Sequence, residues 1–225
     1  MGSSRIALII RCCLALLIAS TLTGCQIFGL ASRILPDPTV GASYHGLANQ
    51  TTAVMIWTDR ATAIDWPRLQ LDLSRGIQSR LQELASKSKD RPKDLEGTKF
   101  VAAESVVRYQ HDHPEIETES ISDVAPRLNV TRIIYVEIEQ FSTRPEDSVE
   151  LYRGSLSGNL KVVEVQNGQG KVPFEEENIS VLYPTDSPDQ GLPNQTDLEM
   201  YEKTLDAFST QIMNRFVPHT EELPQ

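Results

Sequence analysis

The sequence predicts an α+β fold: a single domain in which helices pack on a mixed sheet of about five strands, in the order β-α-β-α-β-β-β-α. Three observations carry this prediction. Two long segments, 69–84 and 197–217, space apolar residues as an amphipathic helix does. Residues 151–165 alternate apolar and polar side chains, as a half-solvated antiparallel strand does. The turn-forming pair Asn167-Gly168 separates that strand from a further strand-like segment, 174–183.

The first half of the domain is predicted to alternate strands with helices. Residues 53–57 are a short apolar run that suits a buried strand. Asp65 is a candidate cap for a helix that tolerates Pro67 in its first turn. The helix carries one apolar stripe, formed by Leu69, Leu73, Ile77, Leu81 and Leu84. Residues 100–109 favour a second strand, although "VAAESVV" would also fit a helix.

The second half begins with a short helix from Ser120 to Leu128. A strand over residues 131–141 follows, with Ile134, Val136 and Ile138 on one face, and then the hairpin. The last helix is predicted from a Thr196 or Asp197 cap to about Val217. Its inward residues are Tyr201, Leu205, Phe208, Ile212 and Phe216.

The amino-terminal segment has the layout of a secretory signal peptide. Arg5 and Arg11 are the only charges in the first 24 residues, and a short apolar core and small residues precede Cys25. This core is too short to predict a membrane span. We predict a signal peptide at residues 1–24, a lipidated cysteine with a flexible tether at 25–50, the α+β domain at 51–217 and a tail at 218–225.

Leu22-Thr23-Gly24-Cys25 resembles the lipobox of bacterial lipoproteins. In that family the cysteine thiol is joined to diacylglycerol, the signal is cut before the cysteine, and the new amine is acylated. The resemblance implies cleavage between Gly24 and Cys25 and attachment of fatty acids such as palmitate at Cys25. Gln26, rather than Asp, follows, which by the sorting rule of many double-membrane bacteria favours the outer membrane, facing the periplasm. The alternative is an ordinary signal peptide with a chance cysteine.

Composition restricts the chemistry of the mature chain. The full chain has 21 basic and 31 acidic residues. Losing Arg5 and Arg11 with the signal leaves 19 basic residues, a net charge of −12. Such a domain is repelled by nucleic acid and by anionic headgroups, so we expect no nucleic-acid partner and membrane attachment through acyl chains alone. Cys12 and Cys13 leave with the signal, which excludes a disulfide within the mature chain and cysteine catalysis.

A second resemblance concerns the domain itself. "ISDVAPRLNVTRIIYVEIEQF" (121–141), followed by "GSLSGNLKVVEVQNGQGKV" (154–172), is similar to the pattern of the TolB amino-terminal domain, the curli-secretion lipoproteins and the penicillin-binding-protein-activator lipoproteins. The likeness covers about residues 52–217. Members are mostly binding or assembly modules of the cell envelope, so the resemblance implies a domain without catalysis. The sequence lacks a long amphipathic insert, which disfavours a secretion pore.

One segment invites a catalytic interpretation. His111, His113 and Glu115 stand at alternate positions, so on a strand they would share a face and could bind Zn²⁺. Pro114 opposes strand pairing, and a solvated loop is the favoured interpretation. "GSLSG" (154–158) has Leu156 at its centre and is not a nucleophile elbow.

We therefore predict a lipid-anchored envelope lipoprotein with a non-catalytic binding or assembly domain, no cofactor, and an envelope protein or polymer as partner. Two alternatives stay open: a metal-dependent hydrolase using His111 and His113, and a subunit of a secretion or pore assembly. The long acidic loops 142–150 and 184–196 are candidate partner-binding surfaces. Mobile loops that bind nothing are the alternative.

Overall fold

Strands and helices occupy most of the residues that the computed structural model describes, which are 39–87, 91–148, 150–185 and 191–220. The strands are β1 (Thr39–Val40), β2 (Thr51–Thr58), β3 (Lys99–Phe100), β4 (Arg132–Ser142), β5 (Gly154–Gln166), β6 (Gln169–Tyr183) and β7 (His219–Thr220). The α-helices are α1 (Arg60–Asp65), α2 (Leu69–Ser86), α3 (Ala103–Asp112), α4 (Ile121–Val124) and α5 (Asp197–Met213). Short 3₁₀ turns cover Lys93–Leu95, Pro114–Thr118 and Ala125–Leu128. Gly41–His219 form one compact unit.

Five strands form one mixed sheet in the order β3-β2-β4-β5-β6. β2 runs parallel to β3 and β4, whereas β5 and β6 continue the sheet antiparallel. Parallel neighbours need long crossover connections. Helix α2 lies in the connection from β2 to β3, and helix α3 lies in the connection from β3 to β4. Register places Val54 beside Ile134 and Ile56 beside Val136. The predicted α+β class with a five-stranded mixed sheet is confirmed.

The sheet separates two apolar clusters. The larger one, on the side of α2 and α5, includes Ile56, Ile134 and Leu160 from three neighbouring strands, all buried. The smaller one, on the side of α3 and α4, includes Met55 and Ile133. β2 and β4 are thus covered on both faces, which explains why their sequences are nearly continuous apolar runs.

The hairpin forms where the turn signal predicts it. Asn167 and Gly168 have φ values of 52° and 74°, as both central residues of a two-residue type I′ turn require. Gln166 pairs with Gln169 across the turn. Upstream in β5, a Cβ at Gly158 would lie 2.4 Å from the backbone oxygen of Glu137, so a close approach of two strands requires glycine there.

The predicted cap at Asp65 is wrong. Asp65 is the last residue of α1, whose cap is Asp59, with a carboxylate that accepts bonds from the backbone N–H groups of Ala61 and Thr62. Trp66 precedes Pro67, and a residue before proline is disfavoured in helical conformation, so α1 ends there and α2 starts separately at Leu69. The inward stripe of α2 is confirmed from Leu69 to Leu81.

The predicted strand at 100–109 is also wrong. β3 ends at Phe100, and Ala103–Asp112 form α3. Ala103 and Val106 are each 2% exposed, and three-residue spacing on one buried face is that of a helix. Ala and Glu in the run are strong helix formers and permit the helix, and burial of Ala103 and Val106 in the smaller cluster selects it.

The packed unit begins before the predicted boundary at residue 51. Tyr44 and Leu47 belong to the larger cluster, with exposures of 7% and 0%. The Tyr44 hydroxyl donates to Glu164 at 2.8 Å, and Arg132 Nε donates to the carbonyl of Gly46 at 2.9 Å. The end of the segment predicted as a tether is therefore part of the domain core. Residues 25–38 lie outside the described residues.

Candidate binding groove

A groove of about 570 Å³ runs along the outer side of the packed pair α2 and α5. Helix α2 supplies Asp72, Gly76 and Arg80, and the segment before it supplies Trp66, Pro67 and Arg68. Helix α5 supplies the opposite bank, which is Asp197, Leu198, Tyr201, Glu202, Leu205, Asp206 and Ser209. The apolar stripes of both helices pack on the sheet. The groove residues are the side chains beside the contact between the two helices.

Small residues set how close the two helices come. A Cβ placed on Gly76 would lie 2.7 Å from Ser209 Oγ, so α2 and α5 nearly touch at this point. Leu205, 6% exposed, closes the floor beside them. The groove is therefore shallow and rigid in its middle, because both walls are packed on the sheet below.

Two aromatic rings, Trp66 and Tyr201, line one end of the groove, and the ring of buried Phe141 packs against both. Trp66 and Tyr201 stack with centroids 5.6 Å apart and an interplanar angle of 20°. Phe141 stands edge-on to both, at 4.8 Å from Trp66 and 5.6 Å from Tyr201. Stacked and edge-to-face arrangements are the favourable ones for aromatic pairs. This cluster brings together residues from the α1–α2 connection, β4 and α5.

Tyr201 connects the aromatic end to the charged bank. Its hydroxyl donates to Asp72 Oδ2 at 3.1 Å. Burial, reinforced by the charge of Asp72, raises the pKa of Tyr201 above its usual value, so the phenol stays protonated and remains a donor. Asp72 also pairs with Arg68 at 3.2 Å, one helical turn away.

The groove carries more acid than base. Its lining has two arginines, Arg68 and Arg80, against four carboxylates. Arg80 pairs with Asp206 across the groove. Glu202 has no ion pair within the described part of the chain. The other carboxylates of the lining are paired, Asp197 with Arg144, so the uncompensated negative charge is that of Glu202. On the same bank, the apolar side chain of Leu198 is 66% exposed.

A side-chain clamp holds the start of α5 to the loop after β4. Arg144 donates to both carboxylate oxygens of Asp197, at 2.9 and 2.6 Å, and Thr143 Oγ1 donates to Asp197 at 2.6 Å. The Arg144 guanidinium lies 4.4 Å from the ring centre of Tyr152. Tyr152 and Leu192 exchange two backbone hydrogen bonds. The first of the two loops that the sequence marked, 142–150, thus contacts the start of α5, and Leu192 of the second, 184–196, pairs with Tyr152.

This clamp predicts a pH dependence of stability. Hydrogen bonds from Arg144 and then Thr143 hold the pKa of Asp197 below its usual range. A depressed pKa stabilises the fold above the unfolded pKa of about 3.9, and the contribution is lost as pH falls through the folded value. Asp197→Asn should therefore lower Tm at pH 7, and the difference should shrink as pH falls below about 4. Because the carboxylate is 46% exposed, the effect should stay below about 1 kcal/mol.

Thermal unfolding from pH 7 to pH 3 measures this effect. Glu83→Gln is the matched control, since it removes an exposed carboxylate of α2 that forms no ion pair within the described residues. A Tm difference for Asp197→Asn that stays constant across this range would contradict the assignment.

His111, His113 and Glu115 do not share the face of a strand. His111 lies in the last turn of α3, His113 caps that helix, and Glu115 is in the following 3₁₀ turn. His113 Nδ1 contacts Glu115 at 3.0 Å, an exposed pair. Among the described residues, no group of three or more His, Cys, Asp or Glu side chains is placed to hold a metal ion. Cys25 and Gly24 lie outside the described residues, so lipid attachment and signal cleavage there stay predictions.

No motif marks the groove residues in the sequence. Tyr201 and Leu205 belong to the inward stripe predicted for the last helix, but Trp66 was assigned no role. The sequence signal for Trp66 is its position directly before Pro67, where helical conformation is disfavoured. Among the helices within the described residues, none is long and apolar enough to cross a membrane.

The domain is thus an α+β unit with an acidic groove that has aromatic residues at one end. The chain matches no protein-family profile and no curated protein sequence. Among solved structures it is similar to the hypothetical protein CT253 from Chlamydia trachomatis, with 17% identity over 73% of this chain and 94% of that one, at a TM-score of 0.42.

Two further similar structures come from other bacteria. A PelC dodecamer from Paraburkholderia phytofirmans has 8% identity, covers 81% of this chain and 99% of its own, and gives a TM-score of 0.41. Lipoprotein GNA1162 from Neisseria meningitidis has 11% identity, covers 73% and 98%, and gives 0.37. At these identities and TM-scores we draw the function from the residues of this chain.

Proposed function

We propose that this protein is a lipid-anchored cell-envelope lipoprotein whose domain is a non-catalytic module that docks a second protein in the α2–α5 groove. The groove is the observation that carries the docking function, because it places the exposed apolar side chain of Leu198 on the same bank as the uncompensated carboxylate of Glu202. The signal-like segment and the lipobox that ends at Cys25 support lipid anchoring. Gln26 after the cysteine favours the outer membrane, with the domain in the periplasm.

The chemistry of the groove defines the segment that it would accept. Leu198 and the aromatic end suit an apolar anchor, because burying apolar surface is the main favourable term in association. Glu202 and the acids beside it suit basic residues next to that anchor, since complementary charge steers association and selects partners. An amphipathic helix with apolar anchors and Lys or Arg at its borders meets both requirements.

Site-specific photocrosslinking in cells tests the docking surface. A photoreactive residue at position 198 should give an adduct with one protein, joined at an apolar segment that is bordered by Lys or Arg. The charge reversal Glu202→Lys should lower the yield several-fold, because it places a like charge opposite those basic residues.

Position 83 serves as the matched site, because Glu83 is exposed on α2 outside the groove. Neither the probe at 83 nor the variant Glu83→Lys should reproduce these effects. Adducts of equal yield at 83 and 198, or an adduct at 198 that Glu202→Lys leaves unchanged, would contradict docking in the groove.

A further inference from the structure

One edge of the five-stranded sheet is open to a further strand. Among the described strands, β6 is the outermost and pairs with β5 alone. Within the described part of the chain, no backbone hydrogen bond joins β6 to a residue outside β5. The opposite edge, β3, is only two residues long, whereas β6 has 15 residues. A long edge strand presents a row of unpaired N–H and C=O groups, which is a template for strand addition.

Only the first part of this edge carries the features that prevent strand addition. Lys171, Pro173 and the glutamates 175–177 follow one another along it, and charged residues and proline are the usual protection of an edge. Residues 179–183, Ile-Ser-Val-Leu-Tyr, carry neither a charge nor a proline. Leu182 among them is 45% exposed. The unprotected part of the edge is therefore also the part with an exposed apolar side chain.

The backbone marks both ends of this unprotected segment. Asn178, directly before it, has a φ of 60° and lies at a shift in the register between β5 and β6. Pro184, directly after it, has no N–H group and cannot continue a ladder of hydrogen bonds. The segment that is able to pair is therefore 179–183, and Val181 is its midpoint.

We infer that residues 179–183 pair antiparallel with the same segment of a second copy of this chain, about a two-fold axis at Val181. In this register the opposite residues, one from each copy, are Val181 and Val181, Ile179 and Tyr183, and Ser180 and Leu182. Alternate residues of a strand share a face, so the pairs formed by Val181 and by Ile179 lie on one face. Ile179 belongs to the larger apolar cluster and Val181 packs against it. The pairing therefore extends this cluster across the axis.

Charge opposes other registers of the same pairing. A two-fold axis at Glu176 would place Glu175 opposite Glu177 and Glu176 opposite itself, and like charges directly opposite each other are destabilising. The axis at Val181 keeps these glutamates outside the ladder.

A second copy fits the segment better than a foreign strand does. Residues 179–183 carry no charge by which to select an acidic or basic peptide. Their own sequence, in contrast, pairs apolar residues on one face of the ladder. Two-fold pairing is isologous and uses the open edge of both copies, so the assembly closes as a dimer. This inference goes beyond the proposed docking function, because the segment contributes no residue to the α2–α5 groove.

Sedimentation velocity of the full-length chain in excess detergent, over a range of concentrations, tests this inference. We expect a reversible equilibrium between monomer and dimer. Ser180→Lys/Leu182→Lys should raise the dissociation constant about tenfold or more, because it places like charges opposite each other in the proposed register. Both positions are exposed, so the monomer should still fold. Gln166→Lys/Gln169→Lys is the matched control: it adds the same charge at exposed positions beside the hairpin turn and should change the constant less than twofold.

A charge exchange tests the register and the identity of the partner strand. Ser180→Glu/Leu182→Glu should also be monomeric by itself, for the same reason as the lysine variant. An equimolar mixture of the two variants should form a heterodimer, because opposite charges then face each other across the axis.

Circular dichroism shows whether each variant folds, and the glutamate variant decides if the lysine variant does not fold. Wild type that is monomeric at every concentration, or a dimer that the charge variants leave unchanged, would overturn the inference. Folded variants that stay monomeric when mixed would also overturn it, because the pairing would then not join two copies of this segment. Crosslinking at position 198 reports on the docking function independently of these results.

Discussion

Full-length Cys25→Ser is expected to carry no fatty acid and to leave the membrane fraction that the wild type occupies. A serine hydroxyl remains protonated at physiological pH, whereas a cysteine thiol supplies the thiolate nucleophile that lipid transfer needs. Each buried methylene contributes about 0.8 kcal/mol, so two or three acyl chains hold the wild type almost irreversibly. Metabolic labelling with a clickable fatty acid, followed by fractionation, measures both effects.

The fold should not depend on this cysteine. All core residues within the described part of the chain lie between Tyr44 and Val217. The thermal unfolding of Cys25→Ser in detergent should therefore match that of the wild type. Unlabelled wild-type protein that is cut elsewhere and free in the periplasm would contradict lipid attachment. Docking in the groove is tested separately, by crosslinking at position 198.

Phe208→Ala should produce the largest loss of stability among single substitutions in α5. Phe208 is 0% exposed and packs in the larger apolar cluster, between the helix and the sheet. Removing a buried phenyl ring loses its transfer free energy and leaves a cavity, which together cost about 3–5 kcal/mol. For a domain of this size, that cost lowers Tm by roughly 6–20 °C. Urea denaturation and calorimetry measure the two quantities.

Leu198→Ala on the same helix is the matched control. Leu198 is 66% exposed, so its truncation should change the free energy of unfolding by less than about 0.5 kcal/mol. Its expected effect is on docking instead, because Leu198 is the exposed apolar side chain of the groove. Equal destabilisation by the two substitutions would contradict the placement of α5 with Phe208 toward the sheet.

Local sequence patterns determined much of the fold. The inward stripe from Leu69 to Leu81, the last helix and the Asn167-Gly168 hairpin were all predicted, because each depends on spacing or backbone preference within one segment. The capping role of Thr196 belongs to this group as well. The lipobox is likewise a property of a few adjacent residues.

Tertiary structure alone decided the rest. The segment 100–109 fits both a strand and a helix locally, and the burial of Val106 against the sheet settles it as α3. Tyr44 and Leu47 precede any periodic segment, yet they fill the core through contacts with residues far along the chain, such as Glu164. No local pattern predicts such contacts.

The same reason applies to the groove. Its aromatic end is formed by Trp66 and Tyr201, with Phe141 packed against both. These residues come from three separate segments, which only the packing of helices on the sheet brings within contact distance. Sequence periodicity reports which face of an element is buried, but it carries no information on which distant side chain lies opposite.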